Sequence, residues 1–270
     1  MSTNDQPTDA RARLRQHFLG DKSLHIKKWD DLYIEDFLPW DKGFVNPAFV
    51  DLLHDRKELF PNTEGKRGKA LVPGCGKGYD VLLLDEHGYD AYGLESSKNA
   101  LIAAKEIEKQ AKATGQYIGR GDVNWVDGDF FDDGWLIEVQ GEKKFDLIYD
   151  YTFLSALPPS LRPAWSKRFK DLLAPGGRIV CVEFPTYKPH STGGPPWALP
   201  PKVYMAHLSR PGQELPYAEE SGLQESELGD ASPDGLQCIA HFQPKRTHNG
   251  GYDEQGKITD WVSVWAHPSE

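Results

Sequence analysis

The sequence predicts an α/β fold built around a mostly parallel sheet of seven strands, and three observations carry that expectation. Residues 69–73 form a short apolar run that enters a turn with glycine at alternating positions, Gly74-Cys75-Gly76-Lys77-Gly78, before a helical pattern over 81–87. Residues 88–95 then read as a second strand ending in an acid, Glu95, which completes a strand–helix–strand unit of the nucleoside-binding kind. At the far end, residues 238–242 and 260–266 alternate apolar and polar side chains as paired antiparallel strands do.

Taken in order, the chain opens on about ten polar residues. Ala10, Leu14, Phe18 and Leu19 then recur near helical spacing. Trp29, Leu32, Tyr33, Phe37, Leu38 and Trp40 make an aromatic cluster with two readings: a lid helix packed on the core, or a cover closing a cofactor site from above. Pro47 starts a helix expected to end near Pro61, and a polar linker over 62–69 leads to the first strand. Beyond Glu95, Ser96-Ser97 can cap a long helix through Thr114, with Gly115 as its stop. Residues 123–126 and 145–150 read as the third and fourth strands. Pro158-Pro159 starts a helix with Leu161, Trp165, Phe169, Leu172 and Leu173 on its buried stripe, stopped by Pro175-Gly176-Gly177. The fifth strand is expected at 178–184. The segment 185–230 is rich in proline, glycine and aromatics, and a stretch of that length inside a compact domain suits an ordered wall for substrate, with a short helix after Pro201. The whole chain, 1–270, is expected to be one domain, with 1–65 as a lid region and 185–230 as a substrate-side insertion.

Composition narrows the function classes. A formal charge of −10 over 270 residues repels a phosphate backbone, so nucleic acid is disfavoured as a partner and small molecules are favoured. The three cysteines, Cys75, Cys181 and Cys238, are odd in number and widely separated, as reduced thiols of a cytoplasmic protein would be, and no Cys/His spacing suggests a metal. The first twenty residues lack an apolar signal core and no apolar run reaches membrane length, so a soluble monomer with no membrane partner is expected.

Spacing within the glycine turn decides which nucleoside is favoured. A dinucleotide fingerprint needs G-x-G-x-x-G, whereas Gly74, Gly76 and Gly78 give G-x-G-x-G. An ordinary tight turn would read the same way, but the acid at Glu95, suited to both hydroxyls of a ribose, shifts the balance toward a ligand. Asp129 and Phe130 follow the third strand, where an acid and a ring suit an adenine; on their own they read better as an acidic turn with two core aromatics, but their position one βα unit after Glu95 favours the ligand. In an open parallel sheet the ligand crevice lies at the carboxyl ends of the strands, which places Asp150, Tyr151 and Phe153 where chemistry is expected. His190, His207 and His241 read as surface or satisfied histidines, and no Ser-His-Asp or Cys-His arrangement stands out.

Several blocks together resemble the thiopurine methyltransferase superfamily of S-adenosylmethionine (SAM) dependent enzymes, and within it the thiol and halide branch. They are Trp40-Asp41, the run from Leu71 through Pro73-Gly74-Cys75-Gly76-Lys77-Gly78-Tyr79-Asp80-Val81, Gly128-Asp129-Phe130-Phe131, Phe145-Asp146-Leu147-Ile148-Tyr149-Asp150-Tyr151-Thr152-Phe153 and Gly193-Gly194-Pro195-Pro196-Trp197. The resemblance implies a Rossmann-like class I methyltransferase with SAM as cofactor, S-adenosylhomocysteine as its product and no metal. It implies that Trp29 and Trp40 cover the cofactor, that Gly74, Cys75, Gly76 and Gly78 hold its methionine end, Glu95 and Ser96 its ribose, and Asp129 and Phe130 its adenine. Asp150 and Tyr151 would lie beside the sulfonium, and Phe44, Tyr151, Phe153, Glu183, Pro196 and Trp197 would meet a small-molecule thiol, with Asp150, Tyr151 and Glu183 catalytic. Halide-type relatives tend to be apolar where this chain has Glu183, which favours a larger thiol over a small anion. The remaining sequence is similar in style to fungal members that methylate both thiols of a reduced epidithiodioxopiperazine. A halide, thiocyanate or thiopurine methyltransferase, or a SAM-binding protein without turnover, are the alternatives.

Overall fold

The computed structural model describes residues 6–21, 24–60 and 67–268. The first five residues and most of the linker expected at 62–69 lie outside the described residues. Helices α1 (Gln6–His17), α2 (His25–Ile34) and α3 (Pro47–Asp55) precede the sheet. Asn46 caps α3, its side chain accepting from the Ala48 N–H at 2.9 Å, with Pro47 at the first helical position, where a missing donor costs nothing. Then follow β1 (Lys69–Pro73), α4 (Tyr79–Glu86), β2 (Asp90–Glu95), α5 (Lys98–Thr114), β3 (Val123–Asp127), β4 (Phe145–Tyr151), the single turn α6 (Phe153–Ala156), α7 (Arg162–Leu172) and β5 (Leu173–Glu183). Both expected ends of α5 are present: the Ser97 side chain accepts from Ala100 N–H, and Gly115 closes the helix in the left-handed region. The chain finishes with α8 (Pro201–Leu208), a ribbon of β6 (Tyr217–Ala218) and β7 (Gly222–Leu223), then β8 (Gln237–Phe242) and β9 (Trp261–Ala266).

Seven strands form one sheet in the order β3-β2-β1-β4-β5-β9-β8. β1 to β5 are parallel, and β9 runs antiparallel to both β5 and β8. Successive side chains along each strand point to opposite faces, which feeds two cores. Leu71, Ile148, Ile179, Cys181 and Trp265 pack with α7 and α8 on one face, while Val72, Tyr149, Val180, Val182 and Val264 pack with α3 and α4 on the other. Strand order reverses between β1 and β4, and a crevice opens at their carboxyl ends.

Three elements depart from the sequence reading. α3 ends at Asp55 rather than near Pro61, with only a 3-10 turn over Lys57–Leu59 beyond it. β5 begins at Leu173 rather than at 178, because the Pro175-Gly176-Gly177 turn never leaves the sheet: a Cβ on Gly177 would stand 3.0 Å from the Phe145 carbonyl, so only glycine lets the chain run flush along β4. The β6–β7 ribbon is two residues per strand, too short to leave an alternating pattern.

Candidate active site

The turn after β1 is built for glycine by packing as much as by dihedral. Gly74, Gly76 and Gly78 have φ of +59°, +54° and +76°, which side-chain-bearing residues rarely adopt. A Cβ on Gly74 would lie 2.4 Å from the Phe153 ring, and one on Gly78 2.2 Å from the Trp125 ring. Glu95, at the end of β2, is half-buried and ties this turn to the start of α5. Its Oε2 accepts from Gly76 N–H at 3.0 Å, and its Oε1 from Ser96 N–H at 2.8 Å and Ser97 N–H at 3.0 Å. Burial pushes the Glu95 carboxyl above its ordinary range against the pull of those three donors. The Cys75 thiol is pushed well up by burial and by the Glu95 charge, which leaves it inert in this wall.

Just beyond β3, Asp129 Oδ1 closes a turn on Phe131 N–H at 2.9 Å. Phe130 sits differently from the expectation of a ligand-facing ring. It is 4% exposed and packs edge-on against Phe131, Phe153 and Phe169, so the structure places it in the core beneath the crevice, with half-buried Phe131 beside it.

Helix α2 closes over the turn. Trp29 and Trp40 meet edge to face at 5.0 Å, Tyr33 lies against Trp40 at 6.0 Å, and the Tyr33 hydroxyl stands 3.0 Å from the point a Cβ on Gly76 would occupy. A latch holds this cover down: Asp30 accepts from Ser97 Oγ at 2.7 Å, Asn99 N–H at 3.1 Å and Asn99 Nδ2 at 3.0 Å, capping α5 from a second helix. Burial alone would raise the Asp30 pKa, but the Ser97 and Asn99 hydrogen bonds hold it below the usual range. A depressed carboxyl contributes stability above its unfolded pKa and loses it as pH falls through the folded one. Asp30→Ala is therefore expected to loosen α2, raising the Kd for SAM about ten-fold, with a smaller change in Tm. Isothermal titration with a thermal melt checks this. An unchanged Kd would show that α2 does not cover the ligand.

At the end of β4 the expected catalytic trio is not gathered in one place. Asp150 is 1% exposed, and both its oxygens are taken: Oδ2 by Trp165 Nε1–H at 2.9 Å and Oδ1 by Leu154 N–H at 3.2 Å. It braces α6 and α7 rather than facing a substrate. Glu183 has no exposed surface, and the pairing of Tyr151 with Val182 puts Glu183 on the opposite sheet face from Tyr151. Its Oε2 lies 3.3 Å from His241 Nε2, and its Oε1 is unpartnered among the described residues. Glu183, expected at the substrate, is thus enclosed on the sheet face that carries Ile179 and Cys181. Tyr151 does reach the crevice side, with Phe184 at 6.3 Å, and Phe153 lies on Gly74. Phe44 is 55% exposed at the rim, and Trp197, whose N–H donates to the Ser155 carbonyl at 2.7 Å, seats the Pro196 wall over α6.

Sequence reasoning missed a polar group beside Tyr151. His248 Nδ1 lies 3.0 Å from the Tyr151 hydroxyl and its Nε2 3.2 Å from the Phe44 carbonyl, with the Phe44 ring edge-on at 4.8 Å. Next to it, Thr247 Oγ1 donates to Asp260 Oδ2 at 2.6 Å and lies 3.5 Å from Asn46 Oδ1. Asp80 Oδ1 accepts from Asn46 N–H at 3.4 Å. Thr247 and His248 sit in a polar loop whose only signal was composition; the antiparallel pairing of β8 and β9 was the one hint that the loop between them returns to the crevice.

Burial raises the carboxyls of Asp80 to about 7, Asp150 to about 6 and Asp260 to about 6. An acid whose folded pKa lies above its unfolded value contributes stability that is present below the unfolded pKa and lost as pH rises through the folded one. Unfolding free energy is thus expected to be higher at pH 5 than at pH 7.5, by about 1.4 kcal/mol for an acid raised to about 6 such as Asp150. Urea midpoints at the two pH values test this, and a lower midpoint at pH 5 would contradict it.

An open sheet in this order, a glycine turn after β1 and an acid ending β2 define a Rossmann-like class I methyltransferase fold. Residues 24–239 match the thiopurine S-methyltransferase (TPMT) family, and the chain belongs to that family. It is 34% identical over 220 residues to a probable thiol methyltransferase 2 of Arabidopsis thaliana, covering 81% of this chain and 85% of that protein. It is 31% identical over 200 residues to thiocyanate methyltransferase 1 of the same plant, covering 74% and 79%. Among solved structures, a Burkholderia thailandensis 1,6-didemethyltoxoflavin-N1-methyltransferase with bound S-adenosylhomocysteine superposes with a TM-score of 0.53 over 92% of this chain and 88% of that one, at 14% identity. Among the described residues no helix is long and apolar enough to cross a membrane, and no group of three or more His, Cys, Asp or Glu could hold a metal ion.

Proposed function

We propose that this protein is a SAM-dependent S-methyltransferase of small-molecule thiols, and that its acceptor is a dithiol of the reduced epidithiodioxopiperazine type, such as reduced gliotoxin. The observation that carries the reading is the juxtaposition at the β1–β4 switch point of a glycine turn, which added side chains would fill, with the rings of Tyr151, Phe153 and Phe184. SAM supplies an electrophilic methyl group on a sulfonium. The chain's own residues supply the rest: the turn from Gly74 to Gly78 and Glu95 orient the nucleoside, α2 with Trp29 and Trp40 excludes water, and the aromatic rim of Phe44 and Tyr151 admits a polarisable sulfur. Exclusion of water favours a step in which a thiolate and a cation neutralise each other, and alignment of the reacting atoms lowers the barrier further. Asp150 is proposed as a positioning residue that sets the strand end carrying Tyr151. One domain, acting as a monomer in the cytoplasm, completes the proposal.

A dithiol needs two rounds of transfer, with release of the spent nucleoside between them, so the Asp30 latch must open once per methyl. Thiocyanate methyltransferases among the relatives favour a second reading, methylation of a small anion. Mass spectrometry of reduced gliotoxin incubated with protein and SAM separates the two. Gains of one and then two methyl groups are expected. Volatile methyl thiocyanate from thiocyanate, with the dithiol untouched, would favour the second reading, and no product from any acceptor would point to a SAM-binding protein without turnover.

A further inference from the structure

We propose that His248 removes the acceptor thiol's proton through the hydroxyl of Tyr151; this rests on the thiol-methylation reading above. The Phe44 carbonyl, 3.2 Å from Nε2, can only accept, so Nε2 carries the imidazole hydrogen. That leaves Nδ1 as a lone pair, and the Tyr151 O–H, 3.0 Å away, donates to it. The Tyr151 oxygen has the Asn46 side chain against one lone pair and keeps the other to accept a further hydrogen bond. His248 is 3% exposed, and burial lowers its pKa below the ordinary value, so it stands neutral and ready to accept at pH 7.

In the step, the S–H bond breaks and its proton passes to the Tyr151 oxygen, while the proton that oxygen already carried moves to His248 Nδ1. Tyr151 ends neutral, His248 ends as an imidazolium donating from both nitrogens, and the electron pair left on sulfur forms the new S–CH3 bond. The pair of the broken sulfonium bond stays on the departing nucleoside's sulfur, and the imidazolium returns its proton to water after release. The groups facing His248 bear this charge unequally. Lys42, on the segment before α3, opposes it, whereas Asp41 and the Phe44 and Val45 carbonyls of that segment favour it. From the loop before β9, Asp260 lies one residue away through Thr247. From β4 the only polar contact is the Tyr151 hydroxyl.

The test compares His248→Gln and Tyr151→Phe with the parent protein on two acceptors. For an alkyl thiol with a pKa of about 8.5, only about 1% is ionised at pH 6.5, so kcat/KM there is expected to fall by up to about a hundred-fold in both variants. The deficit should shrink steadily as pH rises past the thiol's own pKa. For a nitro-substituted aromatic thiol, ionised across the whole range, the loss should be smaller and flat with pH. Equal losses on both acceptors at every pH would overturn the relay and leave His248 with a structural role. A parent protein that methylates neither acceptor would sink the thiol reading itself, a different result. Independently of turnover, 15N NMR of the free protein, with the His248 signals assigned by their absence in His248→Gln, is expected to show the Nε2–H tautomer, and Tyr151→Phe should shift the Nδ1 resonance. An Nδ1–H tautomer would overturn the proposal. Tyr151→Phe retains the ring, so it reports on the hydroxyl even if His248→Gln folds poorly.

Discussion

Gly78→Ala is expected to weaken SAM binding by about a hundred-fold or more while leaving a folded but less stable protein. The φ of +76° costs an alanine about 1 kcal/mol, and the added Cβ would stand 2.2 Å from the Trp125 ring. Trp125 cannot swing away. Its indole N–H donates to Glu108 Oε2 at 2.7 Å, and a Cβ position on Gly93 lies 2.8 Å from its other edge. The turn must move instead, and an overpacked site of this kind costs a further 1–3 kcal/mol or so. A displacement near 1 Å at a ligand-holding turn lowers affinity by about a hundred-fold or more. Gly88→Ala is the matched comparison, with φ of +89° and no atom within 4 Å of its Cβ, so it should carry only the strain and keep the parent Kd. Titration calorimetry with S-adenosylhomocysteine reads both. Equal affinities for the two variants would mean that the turn does not touch the nucleoside.

Glu95→Ala should be as severe for a different reason. It removes one acceptor from three backbone donors, Gly76, Ser96 and Ser97, which belong to two separate loops. Buried donors left unpaired cost about 1–3 kcal/mol each, less where water reaches them, so a total loss near 3 kcal/mol is expected. Glu95→Gln should fall between, because its amide can still accept on one oxygen but turns a donor toward another donor. Tm for the three proteins, with Kd measured alongside, orders them parent, Gln, Ala. A Gln variant that binds as the parent does would show that the ribose does not rest on this acid.

The sheet and its helices were legible because their signals are local. Ser97 and Gly115 bracket α5 by capping chemistry, and the buried runs of β1, β2 and β4 lie at the centre of the sheet, where both faces are covered. The nucleoside side was legible for the same reason, since glycine spacing and an acid two elements later are close in sequence. The acceptor side was harder. Asp150 and Glu183 stand at strand ends, where chemistry is expected, but alternation along the strand and the depth of the core turn both away from the crevice, and neither effect shows in a motif. Phe130 likewise packs into the core against Phe153 and Phe169. His248 was invisible because its partners Tyr151 and Phe44 lie about 100 to 200 residues away and meet it only when β9 folds back against β5.

The most direct measurement is a crystal structure with S-adenosylhomocysteine bound. The nucleoside is expected between the ends of β1 and β4, its ribose hydroxyls on Glu95, its amino-acid end along Gly74 to Gly78 and its sulfur turned toward Tyr151. Density for the compound away from that crevice, or none there at saturating concentration, would contradict the proposed site and the chemistry built upon it.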